Sequence, residues 1–293
     1  MRRSMLFLPG NTPNMLINGA VLGSDAVILD LEDAVSPAEK DAARILVRNT
    51  IRYMDFQGCE IIVRINSTDT PFWKKDLDAV LPERPAVILL PKTNTAQDIL
   101  TADGYITELE QKYGFAPNTV ALMPLIETAM GVENAFAIAS ASPRVCALFL
   151  GAEDLTADLQ TKRTKEGKEI EYARTRLVVA ARAAGVDVYD TPFTDVNDDE
   201  GIEKDAAYAK TLGFTGKSSI SPRHVEVINR IFSPTEEEID YAYEVMDTIR
   251  LAKEQGRGVV ALRGKMIDAP IVARAEQTIA MAVEMGLGRE ELL

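Results

Sequence analysis

Eight short apolar runs recur along this 293-residue chain, and nearly every one ends in charged or hydrogen-bonding side chains. In order they are SMLFLP (4–9), AVILDLED (26–33), EIIVRIN (60–66), AVILLPK (86–92), VALMPLIET (120–128), ALFLGAEDL (147–155), VDVYDTPF (186–193) and GFTGKSSISP (213–222). Runs of this length, rich in Val, Ile and Leu, read as strands. Most are apolar at successive positions, as expected when helices cover a parallel sheet. The intervening segments are of helical length, and Ser36-Pro37-Ala38-Glu39 carries start signals: a capping serine, a proline at the first helical position and a glutamate three residues after the cap. Eight strand–helix units at a spacing of about 30 residues predict an α/β fold, a closed (β/α)8 TIM barrel. A doubly wound open sheet is the alternative, but no strand is followed by GxGxxG and no Walker sequence occurs.

More chain follows than a barrel needs. Ser233-Pro234-Thr235-Glu236 repeats the start signal and opens a helix expected to reach about Gln255. A loop, GRGVVALRGKMIDAP, then leads to a last helix ending near Gly286. The predicted organisation is a catalytic barrel over 1–232 and a C-terminal helical extension over 233–293, packed on the barrel or on a neighbouring subunit.

At 46% hydrophobic residues a chain of this length can bury one large core without disulfide or metal staples. The formal charge of −13 argues against nucleic-acid or anionic-membrane partners, since both require a positive field. Cys59 and Cys146 stand apart in apolar surroundings, so they read as free buried thiols of a reducing compartment. The opening MRRSMLFLPGN imitates a secretion signal, but its apolar run breaks at Pro9-Gly10, and no segment approaches bilayer-spanning length. These features place the chain in the cytoplasm.

In such barrels the active site forms at the C-terminal ends of the strands. Those ends carry Asp30, Glu32 and Asp33; Arg64 and Asn66; Lys92; Glu127; Glu153 and Asp154; Asp190; and Lys217 and Ser219. Converging carboxylates resist ionisation unless a cation sits among them. Mg²⁺ suits such a set, because it takes oxygen ligands and needs only one or two carboxylates beside water and substrate. Glu127 and Asp154, on adjacent strands and facing Arg64, are the expected metal pair. The single histidine, His224, excludes multi-histidine zinc sites, and without a GxSxG elbow it is expected to be structural or pocket-lining. Lys92 and Lys217 are alternative Schiff-base lysines, although a lysine among so many acids more often serves as an ion-pair partner.

The ordered segments RRSMLFLPG, ILDLEDAV followed by KDAAR, VRIN, PLIET, LGAEDL, EGKEIEYAR, GKSSISPR and GKMIDAP span residues 2 to about 270. In that order they resemble the citrate lyase β-subunit family, within the HpcH/HpaI aldolase and citrate lyase-like superfamily. The resemblance implies an Mg²⁺-dependent carbon–carbon lyase that cleaves a citryl thioester to oxaloacetate and an acetyl thioester. By the same resemblance Arg64 and Glu127 are catalytic and substrate-binding, and Glu127 and Asp154 hold Mg²⁺ at the substrate. Because side chains alternate along a strand, the neighbouring acids of ALFLGAEDL should diverge, with Asp154 on the metal and substrate and Glu153 left to contact substrate through its backbone or to pair with a nearby base. Asp268 in GKMIDAP would act as acid/base, in its own or a neighbouring subunit's site; the other reading makes it a cap for the last helix. The implied partners are a citryl thioester on acyl carrier protein or coenzyme A, citrate lyase α and γ subunits, and further copies of the chain as a trimer or hexamer.

Some readings stay open at this point. The basic stretch Thr161 to Lys168 could meet a phosphopantetheine arm or coenzyme A phosphates, or be a solvated loop. A free-standing citramalyl-CoA or malyl-CoA lyase would use the same site residues, and a non-catalytic scaffold subunit of a carrier-dependent complex is an alternative of another class.

Overall fold

A computed structural model of the chain describes residues 1–254 and 260–288. They form two compact units, one of residues 2–232 and one of Met1 with the described residues from 233 onward.

The first unit is a closed parallel barrel of eight strands: β1 (Ser4–Pro9), β2 (Ala26–Asp30), β3 (Glu60–Arg64), β4 (Val87–Leu90), β5 (Ala121–Ile126), β6 (Ala147–Leu150), β7 (Asp187–Asp190) and β8 (Gly216–Ser219). Each strand pairs with the next, and β1 pairs with β8 to close the ring. Successive residues serve two cores, which explains the apolar faces. Ile28, Ile62, Leu89, Met123 and Phe149 fill the barrel interior, while Val27, Leu29, Val63, Ile88 and Leu148 pack outward under the helices. Complete burial of each such side chain contributes about 1.5–3 kcal/mol, so the double core specifies register as well as stability.

Closure depends on one glycine. A Cβ on Gly216 would sit 2.1 Å from the backbone oxygen of Arg2, so no other residue lets β8 approach β1 this closely. Below the interior core, Arg2 Nη2 donates to Glu60 Oε1 at 2.9 Å and Nη1 reaches Tyr189 Oη at 3.4 Å. The N-terminal end of the barrel is thus plugged.

The first strand ends at Pro9 as expected, but the other seven end earlier than the sequence suggests, because the polar residues after them leave the ladder. The first start signal also acts differently. Ser36 precedes a single 3₁₀ turn, Pro37–Glu39, its hydroxyl bonds the Glu39 carboxylate at 3.1 Å, and the α-helix spans Lys40–Tyr53. Lys40 is buried at the head of that helix and donates to the carbonyls of Leu31 and Glu32 at 2.8 and 2.7 Å, fixing the loop after β2.

The second unit contains the helix Glu236–Glu254, an antiparallel pair β9 (Val260–Leu262) and β10 (Lys265–Ile267), and the helix Ala269–Glu284. The first of these helices is capped by Thr235, not Ser233. Thr235 N–H donates to Glu238 at 2.8 Å and Glu238 N–H returns to Thr235 Oγ1 at 3.2 Å, a reciprocal capping box. Gln255, where the sequence reading ends this helix, and the first residues of the GRGVVALRGKMIDAP stretch lie outside the described residues. The rest of that stretch is not a plain loop but the β9–β10 hairpin. Its turn residues Arg263 and Gly264 have φ of 49° and 77°, as a tight hairpin turn requires. Ala242, Val245, Ile267 and Ala275 make the core of this unit.

Candidate active site

The open end of the barrel holds a cavity of about 350 Å³, within the usual range for small-molecule sites. Phe7, Leu125 and Phe149 floor it, and Arg64, Glu127 and Asp154 are its functional wall.

Arg64 is the last residue of β3, so its side chain is carried by the ladder itself. Its Nε and Nη2 donate to Asp30 Oδ1 and Oδ2 at 2.7 and 2.6 Å, Nη1 lies 3.0 Å from Glu32 Oε2, and the group rests 5.1 Å from the centre of the Phe7 ring. A guanidinium has five N–H donors, so the two hydrogen bonds to Asp30 and the ion pair with Glu32 orient it while donors remain for a substrate. Asp30 is fixed in turn by the N–H groups of Glu32 and Ala34, at 2.9 and 3.2 Å.

Glu127 follows β5 directly and is almost wholly buried. Its Oε1 accepts the backbone N–H of Lys92 at 2.6 Å, a bond made possible because Lys92 turns left-handed with φ of 51°. Its Oε2 faces Gly151, where a Cβ would approach to 2.7 Å. Burial, then the charges of Glu32 and Asp154, raise the Glu127 pKa to about 8. A carboxyl held this far above its ordinary value by burial and by like charges marks a candidate functional site.

Residues 3–222 match the HpcH/HpaI aldolase/citrate lyase family. The chain belongs to this family. It is 44% identical to the citrate lyase subunit beta of Leuconostoc mesenteroides subsp. cremoris, over 96% of this chain and 93% of that protein. An L-malyl-CoA/beta-methylmalyl-CoA lyase of Cereibacter sphaeroides is 33% identical over 96% of this chain and 94% of that one. Among solved structures, the CitE protein of Mycobacterium tuberculosis in complex with magnesium, acetoacetate and coenzyme A is similar at 30% identity, with a TM-score of 0.77 over 96% of this chain and 98% of that chain.

For a member of the HpcH/HpaI and citrate lyase family, the donor set suits a hard divalent cation. Among the described residues no three His, Cys, Asp or Glu side chains gather into a full protein cage. Two carboxylates, Glu127 and Asp154, with an open cavity beside them match the habit of Mg²⁺, which keeps most of its positions for water and substrate. Burial first, and then the charges of Glu32 and Asp154, raise the Glu127 pKa, and a cation at this point would offset both.

The acids of ALFLGAEDL do not sit on a strand. β6 stops at Leu150, Gly151 caps a helix, and Glu153 and Asp154 occupy the first turn of Ala152–Asp158. They diverge because consecutive helical residues point about 100° apart, not because of strand alternation. Both line the cavity, but Glu153 is 63% exposed and lies 3.7 Å from Arg163 Nε.

Other strand-end residues are structural. Asn66 binds Leu31 O and Asp76, and Ser219 binds its own neighbour Ser221. Asp190 and Lys217 join Arg174 and Asp205 in a buried charge cluster, with Lys217 Nζ 2.6 Å from both Asp190 and Asp205. So paired, Lys217 is no Schiff-base nucleophile. Lys92 is also unsuited: burial lowers its pKa, but the bond to Glu32 and the charges of Asp33 and Asp154 more than offset this and hold it protonated. His224 is completely buried against Phe193, outside the cavity lining, with its pKa lowered by burial. Cys59 and Cys146 are free thiols, half-buried.

Asp268 lies in the second unit. It caps the last helix, its Oδ1 accepting Ile271 N–H at 3.2 Å. The 161–168 stretch is partly neutralised: Arg163 pairs with Glu169, and Lys165 bridges Asp195 and Asp198, all at 2.7 Å. Two contributors went unread in the sequence. The N–H of Lys92 acts through backbone geometry, and Thr191, which lines the cavity beside β7, carries no charge to draw attention. Only its place directly after the strand-end Asp190 could have signalled it.

Proposed function

We propose that this chain is the Mg²⁺-dependent carbon–carbon lyase of the citrate lyase type, cleaving a citryl thioester to oxaloacetate and an acetyl thioester. The observation that carries the reading is the convergence of Glu127, Asp154 and Arg64 on one cavity at the open end of the barrel. The raised pKa of Glu127 and the chain-long likeness to citrate lyase β subunits support it.

Glu127 and Asp154 are the residues that would hold the metal. When bound, Mg²⁺ supplies Lewis acidity to the substrate hydroxyl and its adjacent carboxylate. The remaining N–H groups of Arg64 donate to substrate oxygens where negative charge develops, already oriented by Asp30 and Glu32 so that little reorganisation is needed. The reaction moves the hydroxyl proton, in net terms, to carbon: the deprotonated oxygen becomes the ketone, the C–C bond breaks, and its electron pair leaves as the thioester enolate. Asp268 is assigned the delivery of the proton that turns this enolate into the methyl group. Its capping bond engages one carboxylate oxygen. Phe7, Leu125 and Phe149 exclude water beneath the reacting carbon. Glu153, at the rim, is assigned to substrate contact.

The thioester is carried by an acyl carrier protein or coenzyme A, with α and γ subunits of citrate lyase as partners and a homo-oligomer, trimer or hexamer, as the working form. No described helix is long and apolar enough to cross a membrane, and two unpaired thiols fit the reducing cytoplasm. The barrel as catalytic domain and the 233–293 extension as carrier of Asp268 complete the reading.

A second reading, a malyl-CoA-type lyase, is favoured by the Cereibacter sphaeroides relative. Purified protein incubated with citryl-CoA, citramalyl-CoA and malyl-CoA, with and without Mg²⁺, separates the two. Oxaloacetate released from the citryl thioester only with Mg²⁺ is the expected result. Preferential cleavage of malyl-CoA or citramalyl-CoA selects the second reading. Failure on every thioester, free or carrier-bound, overturns both and leaves the scaffold role.

A further inference from the structure

The helix Ala152–Asp158 is tied to the barrel by its first two N–H groups, and the ties come from strands on either side. Gly151 N–H donates to Ile126 O, the last residue of β5, at 2.9 Å. Ala152 N–H donates to Thr191 Oγ1, directly after β7, at 3.1 Å. The opening N–H groups of a helix have no partner within it, and Ala152 is 1% exposed, so water does not serve this one. Asp154 stands two residues further along the same turn.

Thr191 is itself held from behind. It is 1% exposed, and its carbonyl accepts Lys217 Nζ at 2.6 Å. The same ammonium bonds Asp190 and pairs with Asp205, and Arg174 closes the cluster with two bonds to Asp190, at 3.0 and 2.8 Å, and one to Asp205 at 2.7 Å. Ser218 Oγ adds a bond to Asp190 O at 2.9 Å. None of these groups has a part in the reaction described above, yet together they hold the backbone of Thr191, whose hydroxyl accepts from the Asp154 helix.

We infer that Thr191 is a positioning residue for the metal site. Its hydroxyl fixes the turn that carries Asp154, and the Lys217 cluster fixes Thr191; the inference rests on Asp154 as an Mg²⁺ ligand. A ligand on the first turn of a short helix moves with that turn. If the acceptor is removed, the buried Ala152 N–H loses its partner, and the turn shifts to find another. Groups that orient metal ligands typically contribute 10- to 100-fold in metal affinity.

The test compares Thr191→Val, which keeps the shape and removes the acceptor, with Thr191→Ser, which restores it, and with Thr191→Ala as a second acceptor-free variant should the valine fail to fold. Mg²⁺ affinity is measured by calorimetry and by competition with Mn²⁺, alongside the thermal midpoint. The expected result is a 10- to 100-fold weaker Mg²⁺ affinity in the acceptor-free variants, near-wild-type affinity in Thr191→Ser and a thermal midpoint that does not track the loss. Asp154→Asn serves as the control. If it binds Mg²⁺ as the wild type does, the metal assignment fails; if it loses Mg²⁺ while Thr191→Val retains wild-type affinity, the positioning role is overturned. An affinity loss that serine does not restore also overturns it.

Discussion

Two groups of charge at the strand ends of this barrel differ in their balance. Arg174, Lys217, Asp190 and Asp205 form a balanced set of two cations and two anions, nearly closed to solvent. Around the cavity, Arg64 and Lys92 face Asp30, Glu32, Asp33, Glu127 and Asp154, so carboxylates outnumber cations by five to two. A balanced cluster answers its own desolvation cost with internal bonds, and it fastens structure. A cluster in deficit awaits a charge from outside. The difference separates scaffold from site where residue type alone does not.

The largest effect should come from removing charge on the deficient side. Glu127→Gln or Asp154→Asn is expected to lower Mg²⁺-dependent kcat/KM by about 10³-fold or more, several kcal/mol of transition-state stabilisation. Neither should lower the thermal midpoint of the metal-free protein: Asp154→Asn removes one of the surplus negative charges, and Glu127→Gln replaces a carboxyl that burial and its acidic neighbours already hold protonated at neutral pH with a neutral group of the same shape. Turnover close to wild type in both variants would break the comparison at its functional end. If Asp268 acts in a neighbouring subunit's site, mixing inactive Asp268→Asn and Glu127→Gln chains should regain activity, and mixtures that stay inert count against it.

The balanced side should respond in stability instead. Lys217→Met leaves Asp190 and Asp205 with Arg174 alone, and removing one partner from a buried ion cluster costs about 3–5 kcal/mol. Urea unfolding monitored by circular dichroism reads this as a lower midpoint at unchanged slope. An unmoved midpoint would mean that the cluster fastens nothing.

These contrasts also explain what could be read from the sequence. Strand number and order were legible because residues such as Val27, Ile28 and Leu29 are apolar in succession, and only a strand buried on both faces uses them all. That Arg64, Glu127 and Asp154 meet at one cavity was legible because each lies at or shortly after the C-terminal end of a barrel strand, and those ends converge. The roles of Asp190 and Lys217 were not, since their partners Arg174 and Asp205 come from the helices on either side of β7, and no local pattern records the pairing. The start of the Asp154 helix was missed for a related reason: it is set by Ile126 and Thr191, groups on other strands. The β9–β10 hairpin had a local signal, Gly264, but strands of three residues are too short for a periodic pattern.

A smaller effect, with a definite sign, follows from the Glu127 pKa of about 8. Its folded value lies above that of the unfolded chain, so the metal-free protein has its full stability from this group only below about pH 4.5. That stability is lost as pH rises, until about pH 8. Metal binding displaces the same proton. Mg²⁺ affinity should therefore increase with pH up to about 8, and calorimetry at pH 7 in buffers of different ionisation enthalpy should detect about one proton released. Glu127→Gln should flatten the stability profile relative to wild type. Equal profiles in the two proteins would mean that the charge deficit is relieved some other way.

The smallest effect concerns the basic stretch beyond the site, a third arrangement of charge that is neither buried nor in deficit. Lys165 already bridges Asp195 and Asp198, and Arg163 is engaged by Glu169, so neither offers an unpaired cation to a ligand. Lys162 and Lys168 are exposed and are the two cations of the stretch on which phosphate attraction would rest. Exposed charges act weakly and are screened at physiological salt. Replacing Lys162 and Lys168 with Ala should raise KM for a coenzyme A thioester by roughly two- to fivefold at low salt, leave kcat alone and vanish at high salt. The Lys165→Ala variant should differ little from wild type in either constant. If Lys165→Ala instead carries the whole KM effect, the bridge to Asp195 and Asp198 must open when the thioester binds, and the stretch belongs with the deficient cluster rather than apart from it.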